Sequence, residues 1–310
     1  MTSGRFRRVL PLIAGAGMTA GTSGFVGYLV GSEKLPSLTY FIPEAKGATS
    51  ITLPPALPQQ GSPTTGESRA AQIMRFGYPG FDNLRTFEDF VLSYNRTTRI
   101  PHWVYEHLTP DRLSYDPSVD RSKCAFREDA SVHPYFQSRN TDYKGSGFDR
   151  GHLAAAGNHR RSQNAIDQTF LLSNMAPQVG QGFNRDKWNE LEKHVRQLAR
   201  RHANVYVCTG PLFLPRPDAG GNLYVKYRVI GAQHVAVPTH FFKVILVDTG
   251  DAAAGVKKFD LECYVLPNEV IPDATPLSRF YTPLESVERA AGFLIFDKLN
   301  SKLLRKVNGQ

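Results

Sequence analysis

One histidine, one asparagine and two charged residues have the types and spacing that phosphodiester hydrolysis requires. His152 ends the run Asp149-Arg150-Gly151-His152, and Asn184 precedes a helical pattern that carries Glu192 and Arg196. Cleaving a phosphodiester with water needs a base for the water, positive charge at the phosphate and relief for the departing alkoxide. Neutral imidazole accepts a proton at physiological pH, and no Cys or Ser nucleophile signature competes with it. His152 is therefore the predicted general base.

The positive charge is predicted to come from a divalent cation and two arginines. Mg²⁺ prefers oxygen ligands and keeps most of its waters, so the amide oxygen of Asn184 is adequate as its only direct protein ligand. Glu192 is too far along the chain to share direct coordination with Asn184, and it suits hydrogen bonding to metal-bound waters. Arg150 and Arg196 are predicted to clamp the phosphate oxygens.

Each of these residues, taken alone, also has a structural explanation. A histidine beside Arg and Asp is more often ion-paired at a surface than a base, and an asparagine ahead of a helix is usually an N-cap. The residues occur in order and in suitable context, which favours the functional interpretation. We expect His159, His194 and His202 at the surface of the basic helical region and assign none of them to a metal.

The surrounding sequence predicts the elements that would hold these residues. Trp188, Leu191, Val195 and Leu198 fall at helical spacing and predict a helix over 186–201. Apolar runs bounded by turn residues predict strands at 90–94, 101–106, 205–209, 223–230, 241–247 and 259–266. The first two flank a polar turn and predict a hairpin. Strands before and after one helical region predict an α+β domain with an extensive sheet.

Composition narrows the class of protein and of partner. The 310 residues are 41% hydrophobic and 21% charged, which excludes wholly disordered, collagen-like and coiled-coil chains. The formal charge is +9, and residues 48–310 keep 32 Lys and Arg against 26 Asp and Glu, which favours a polyanionic partner. Three cysteines without a CxxC pair support neither a zinc ribbon nor a disulfide framework. Cys208 and Cys263 are predicted core residues.

The N-terminal part of the chain predicts an address and a linker. In residues 1–47, three arginines precede an uncharged, glycine-rich stretch, a pattern typical of a mitochondrial targeting or sorting segment. A secretory signal and a retained membrane anchor are the alternatives. Residues 48–69 are rich in Pro, Gly and Ser and predict a linker. A single domain is predicted over residues 70–310.

The block from Gly145 to Arg160 resembles the active-site block of the endonuclease G family, in the DNA/RNA non-specific ββα-metal nuclease superfamily. The resemblance continues through Ser173-Asn174-Met175-Ala176-Pro177-Gln178, Asn184 and residues 188–192, and it covers about residues 70 to 300. It implies a ββα-metal nuclease fold, with a central antiparallel sheet, helices on its faces and the DRGH/Asn/helix active-site motif.

The resemblance also implies an activity and partners. It implies a Mg²⁺-dependent, sugar-non-specific endonuclease that cuts DNA and RNA to 5′-phosphate and 3′-hydroxyl ends, with Mn²⁺ able to substitute. The expected substrates are double- and single-stranded DNA and RNA. The expected assembly is a homodimer in the mitochondrial intermembrane space, without a stable membrane span in the mature form. It would act on nuclear DNA after release in cell death, and a protein inhibitor is a further expected partner.

On the family pattern, His152 matches the general base, Asn184 the direct Mg²⁺ ligand, Arg150 the phosphate-side arginine, and Asn174, Glu192 and Arg196 the supporting residues. One departure is visible, because residues 180–183 are glycine-rich where a less flexible run is expected. This predicts a looser placement of the metal ligand. Cys124 also resembles a family position, and its chemistry indicates no role.

Two other functions stay open at this point. A related mitochondrial exonuclease-like member of the superfamily shares the same DRGH element. A catalytically inactive nucleic-acid-binding module would need only the basic charge and aromatics such as Tyr135, Phe136 and Tyr143. The intact pair of His152 and Asn184 argues against the second.

Overall fold

The computed structural model describes residues 66–250 and 254–310. The predicted targeting segment, 1–47, and the linker as far as residue 65 lie outside the described residues. The first described helix begins at Arg69, one residue before the expected start of the ordered domain. No helix in the two described ranges is long and apolar enough to cross a membrane.

Over these ranges the chain forms α-helices and strands in a mixed order. The helices are α1 (Arg69–Ile73), α2 (Asn140–Tyr143), α3 (Gln163–Thr169), α4 (Trp188–Arg201) and α5 (Leu284–Ala291). The strands are β1 (Leu84–Thr86), β2 (Phe90–Asn95), β3 (Ile100–Leu108), β4 (Phe148–His152), β5 (Met175–Val179), β6 (Val205–Leu212), β7 (Arg216–Pro217), β8 (Leu223–Tyr224), β9 (Val229–Ile230), β10 (Val235–Ala236), β11 (His240–Asp248), β12 (Phe259–Pro267) and β13 (Leu304–Val307).

A seven-stranded sheet in the order β1-β2-β3-β6-β11-β12-β13 forms the centre of the fold. All of its pairs are antiparallel except the last, in which β13 runs parallel to β12. The β2–β3 pair confirms the predicted hairpin. The α+β class and the central antiparallel sheet are confirmed.

Helices cover both faces of this sheet, which explains why its central strands are continuous apolar runs. On β11, Phe241 and Ile245 pack into the core on the α4 side, whereas Phe242 and Val244 pack into the core that contains α1 and α5 residues. Cys208 and Cys263 are fully buried in the second core, as predicted.

The predicted strand over 223–230 is wrong. Only its two ends are extended, as β8 and β9, and each belongs to a separate two-stranded pair. Leu223, Val225 and Val229 are exposed, so this apolar run lies on the surface and does not enter the sheet.

A second antiparallel hairpin, β4–β5, is joined to α4 and completes a ββα unit. Strands β4 and β5 are packed tightly, because a side chain at Gly151 would lie 2.1 Å from the Gln178 carboxamide. Helix α4 begins at Trp188, two residues later than predicted, after a wide kinked turn over Gly180–Lys187. Trp188, Leu191 and Val195 bury its apolar face against the sheet. The hairpin and the helix together position the candidate site.

Candidate active site

A cleft of about 790 Å³ lies between β4, α2 and the start of α4. It brings together four of the six residues predicted from the sequence: Arg150, His152, Asn184 and Glu192. Asn174 and Arg196 do not line it. The chemistry of the cleft therefore depends on the four residues that line it. Asn174 and Arg196 contact neighbouring parts of the chain instead.

His152 ends β4 with its ring between two aromatic side chains. The ring centroid lies 5.6 Å from that of Phe126 and 4.8 Å from that of Phe170. Its Nε2 is buried and has no hydrogen-bond partner among the described residues, which leaves Nδ1 as the nitrogen open to the cleft. Burial, and then the charges of Arg121 and His159, lower the pKa of His152 to about 3. The ring is therefore neutral at pH 7 and able to accept a proton.

Asn184 is oriented by a carboxylate that the sequence interpretation left without a role. Its Nδ2 donates to Asp149 Oδ2 at 2.9 Å, and Arg185 donates to both oxygens of the same carboxylate. The hydrogen bond from Arg185 is the main cause that lowers the pKa of Asp149. Burial acts in the opposite direction, and the hydrogen bond from Asn184 lowers the pKa further. Because the amide nitrogen is held, Oδ1 is turned away from Asp149, and no described residue donates to it.

The glycine-rich run before Asn184 makes specific contacts at Gly182. Gly182 has a φ of +82° and packs against Val270, where a Cβ would lie 2.7 Å from a methyl group. Its carbonyl accepts from Ile271 N at 3.3 Å, and its N–H donates to Asp186 Oδ2 at 2.6 Å. The glycine is required by this close approach and positive φ.

A buried lysine fixes the end of the same turn. Lys187 is 1% exposed, and its Nζ donates to the carbonyls of Asp273 and Thr275 as well as to Glu190. These bonds join the first residues of α4 to the loop that also holds Gly182. The metal-ligand candidate thus sits on a segment fixed at both ends.

Glu192 reaches the cleft from the second turn of α4, with 16% of its side chain exposed. Burial raises the pKa of this carboxyl, against the opposing charges of Lys243 and Arg196. Arg196 Nη1 lies 3.9 Å from Glu192 Oε2 and donates to Asn158 Oδ1 at 3.2 Å. The guanidinium thus lies against Gly157, which lines the cleft, whereas Arg196 itself does not line it.

Asn174 is fully buried and acts on the backbone next to the base. Its side chain accepts from Ala154 N at 2.9 Å and donates to the carbonyls of Ala154 and Thr169. These bonds fix the chain two residues after His152. Asn174 is therefore a support for the position of the imidazole.

Arg150 points into the cleft, and three further basic residues accompany it. Its Nη1 donates to Asn140 Oδ1 at 2.5 Å, and its guanidinium lies 4.4 Å above the ring of Phe126. The other basic residues that line the cleft are Arg121, Lys144 and Arg185. Sequence reasoning missed these three, since single surface cations carry no pattern. The positive lining suits a polyanionic ligand.

Buried charges below the cleft were also missed, and one prediction about them is wrong. His159, expected at the surface, is 1% exposed and bonds Glu106 on β3 at 2.8 Å. Burial raises the pKa of the Glu106 carboxyl, but its contacts with His159, Lys243 and Asn158 lower it by more. The pKa therefore lies below its usual value. Lys243 on β11 is fully buried and donates to Thr209 at 2.7 Å. His194 is half-buried against Glu262.

The oxygen donors of the cleft fit a hydrated Mg²⁺ ion. Asn184 offers an amide oxygen that no described residue occupies, and Glu192 places a carboxylate in the same cleft. A hard cation that keeps most of its waters needs few protein ligands, and a neighbouring carboxylate can accept hydrogen bonds from those waters. Within residues 66–250 and 254–310 there is no cluster of three or more His, Cys, Asp or Glu that could hold a metal.

Comparisons with known proteins indicate the family of this chain. The sequence model of the DNA/RNA non-specific endonuclease family matches residues 69–302. Mitochondrial endonuclease G of Caenorhabditis elegans is 51% identical over 306 residues, which covers 94% of this chain and 97% of that protein. Mitochondrial endonuclease G of Homo sapiens is 55% identical over 223 residues, or 72% of each chain. A crystal structure of the EndoG/EndoGI complex matches with a TM-score of 0.76 and 57% identity, covering 80% of this chain and 99% of that one.

Proposed function

This chain belongs to the DNA/RNA non-specific endonuclease family and is a nuclease of the endonuclease G type, and from this we propose a mechanism of metal-dependent hydrolysis. DNA and RNA phosphodiesters are cut to 5′-phosphate and 3′-hydroxyl ends, with His152 as general base and Asn184 as the Mg²⁺ ligand. The observation that carries the proposal is the juxtaposition of a neutral imidazole and a free amide oxygen in one basic cleft.

His152 Nδ1 takes the proton of the attacking water. The ring is neutral at physiological pH because it is desolvated, and it is held by Phe126, Phe170 and the Asn174-supported backbone. Positioned proton transfer of this kind contributes about 10²- to 10⁴-fold to the rate.

Arg150 binds a non-bridging phosphate oxygen from the side of α2, where Asn140 and Phe126 hold its guanidinium. Arg121, Lys144 and Arg185 hold the neighbouring phosphates in the cleft. The base and sugar edges play no part in these contacts, so both DNA and RNA fit the same scheme.

A bound Mg²⁺ ion, with Mn²⁺ as a substitute, supplies positive charge for the phosphate and the departing oxygen. Asn184 Oδ1 would hold the ion, and Glu192 would accept hydrogen bonds from its waters. A neutral amide ligand leaves the charge of the ion undiminished for the substrate.

The relatives' names bear on location and partners. The proteins similar to this chain are named mitochondrial, which supports a mitochondrial location for this chain. We propose the intermembrane space as the compartment, with access to nuclear DNA only after release in cell death. An inhibitor protein is a further proposed partner, supported by the EndoG/EndoGI complex. A homodimer is also proposed. The exposed hydrophobic residues between 223 and 229, which alternate with Lys226 and Arg228, offer a surface that a second copy could cover.

The experiment incubates the purified protein with supercoiled plasmid in Mg²⁺, in Mn²⁺ and in chelator. Relaxed, linear and then smeared DNA with either metal, and intact plasmid with chelator, are expected. Plasmid that stays intact with metal but is retarded on a gel would refute hydrolysis and favour the inactive binding module. Release of mononucleotides from a linear end without relaxation of circles would favour the exonuclease-like alternative.

A further inference from the structure

A chain of polar side chains runs from the central sheet to the cleft beneath α4. It starts at Glu106 on β3, which is 0% exposed. Its Oε1 accepts from Asn158 Nδ2 at 2.9 Å and from His159 Nε2 at 2.8 Å. Two consecutive residues of one loop are therefore held by a single carboxylate oxygen of the sheet.

The amide of Asn158 passes this constraint on to α4. Because its Nδ2 is committed to Glu106, its Oδ1 faces Arg196 and accepts from Nη1 at 3.2 Å. The neighbouring Gly157 makes room for the guanidinium, since a Cβ there would lie 3.0 Å from Nη1. The same Nη1 lies 3.9 Å from the Glu192 carboxylate that lines the cleft.

We infer that Glu106 and Asn158 are positioning residues of the nuclease reaction: Glu106 orients the Asn158 amide, Asn158 orients Arg196, and Arg196 keeps the Glu192 carboxylate turned into the cleft. The inference rests on the proposed function, because it assigns Glu192 its part beside the metal. It also gives Arg196 a role that fits its contacts with Asn158 and Glu192.

The geometry favours positioning over simple stabilisation for two reasons. A buried ion pair is weak evidence for stability, since well-packed apolar residues often replace such a pair at no cost. The same device also recurs in this site, where Asp149 holds the amide nitrogen of Asn184 and so aims its oxygen. In both places a carboxylate binds the nitrogen of an asparagine amide and so fixes which way its oxygen points.

The test compares Asn158→Ala and Glu106→Gln with the wild-type full-length protein. The first removes both hydrogen bonds of the amide, and the second keeps an acceptor oxygen while removing the charge. Outer partners of metal sites typically contribute about 10- to 100-fold in affinity or activity. We expect Asn158→Ala to lower kcat by about that factor, with a smaller loss in Glu106→Gln, and KM for DNA unchanged in both.

A second measurement does not depend on turnover. Calorimetric titration of Mg²⁺ into the DNA-free proteins should show weaker binding in both variants, in the same order as the losses in kcat. Glu262→Gln is the matched control, because Glu262 also bonds a histidine of α4, His194, yet does not line the cleft. Its metal affinity and kcat should equal those of the wild type.

The outcomes are distinguishable. Unchanged Mg²⁺ affinity in both variants, with any loss of kcat matched by a lower melting temperature, would overturn the inference and leave a purely structural role. The inference is equally overturned if Asn158→Ala is unfolded and the folded Glu106→Gln binds Mg²⁺ as the wild type does. A wild-type protein that does not cleave would instead refute the proposed function.

Discussion

The contact between Asp149 and Asn184 gives the sharpest quantitative prediction. A hydrogen bond to a charged group contributes roughly 1.5 to 3 kcal/mol. Since about 1.4 kcal/mol is a factor of ten, Asp149 makes the amide orientation with Oδ1 in the cleft about 10- to 100-fold more populated than the flipped one. Asp149→Ala removes this bias.

Without this bias the two orientations of the Asn184 amide are equally populated. Only half of the molecules then have Oδ1 in the cleft, which weakens Mg²⁺ binding about twofold. Lost rigidity adds to this, and outer partners of metal ligands typically contribute about 10- to 100-fold. We therefore expect the Mg²⁺ concentration for half-maximal plasmid cleavage to rise about tenfold in Asp149→Ala. At saturating Mg²⁺, kcat should recover most of its wild-type value.

Two variants make the assay specific. Asp149→Asn keeps an oxygen that can accept from Asn184, so its half-saturation should lie between those of the wild type and Asp149→Ala. Asp260→Ala removes another carboxylate bound by an arginine fork, Arg305, outside the cleft, and it should change nothing. A half-saturation in Asp149→Ala equal to that of the wild type would refute the orientation argument, and a rise of only about twofold would refute the added contribution of lost rigidity.

The other predictions concern the base, the ligand, acidic pH and substrate binding. His152→Ala should lose about 10²- to 10⁴-fold in kcat while its Mg²⁺ affinity, measured by calorimetry, stays unchanged. Asn184→Ala should bind Mg²⁺ more weakly and regain part of its activity at high Mg²⁺. The reverse pattern would mean that the two residues have exchanged roles. Because burial lowers the pKa of His152 to about 3, the pH–rate profile should show no loss centred at pH 6.5, and a limb at that pH would contradict the assignment. Burial lowers the pKa of His107 to about 4, so below pH 6.5 the unfolded state binds a proton that the folded state does not. This residue alone should then lower the free energy of unfolding by about 1.4 kcal/mol for each pH unit from 6.5 down to 4. Denaturant titrations at several pH values should show that the unfolding free energy of His107→Gln depends less steeply on pH. Affinity of His152→Ala protein for duplex DNA should fall steeply with salt and depend little on sequence in a filter-binding assay, and a flat salt response would argue against phosphate contact.

The sequence predicts the local part of the site well because that part is local in the chain. Residues 148–201 form the hairpin and the helix, so the spacing of His152, Asn184 and Glu192 already contains most of their geometry. The helical period and the alternation of apolar residues are visible without the rest of the protein.

The missed residues depend on pairings across the sheet. Glu106 and Lys243 sit in apolar strands far apart in the sequence, and only the pairing of β3, β6 and β11 brings them under α4. Nothing near Glu106 indicates that Asn158 and His159 will bond it. Long-range partners of this kind carry no periodic signal, which is why His159 was expected at the surface.

The error over 223–230 has a different origin. β-branched and aromatic residues fit any pleated surface, and their frequency does not reveal which surface covers them. In this run Leu223, Tyr224 and Val225 are exposed at the end of a tight turn over Asp218–Asn222.

The kinked turn before α4 makes the site sensitive to chain length. Along a helix each residue advances the direction of a side chain by about 100°. One residue inserted or deleted between Asn184 and Glu192 would rotate one oxygen donor by about 100° around the helix while leaving both residues intact. Exchanges of amino acids at the solvent side of this stretch should be absorbed, whereas a change of one or two residues in its length should abolish cleavage. Engineers who graft loops or recombine related nucleases should place their crossovers outside residues 180–196.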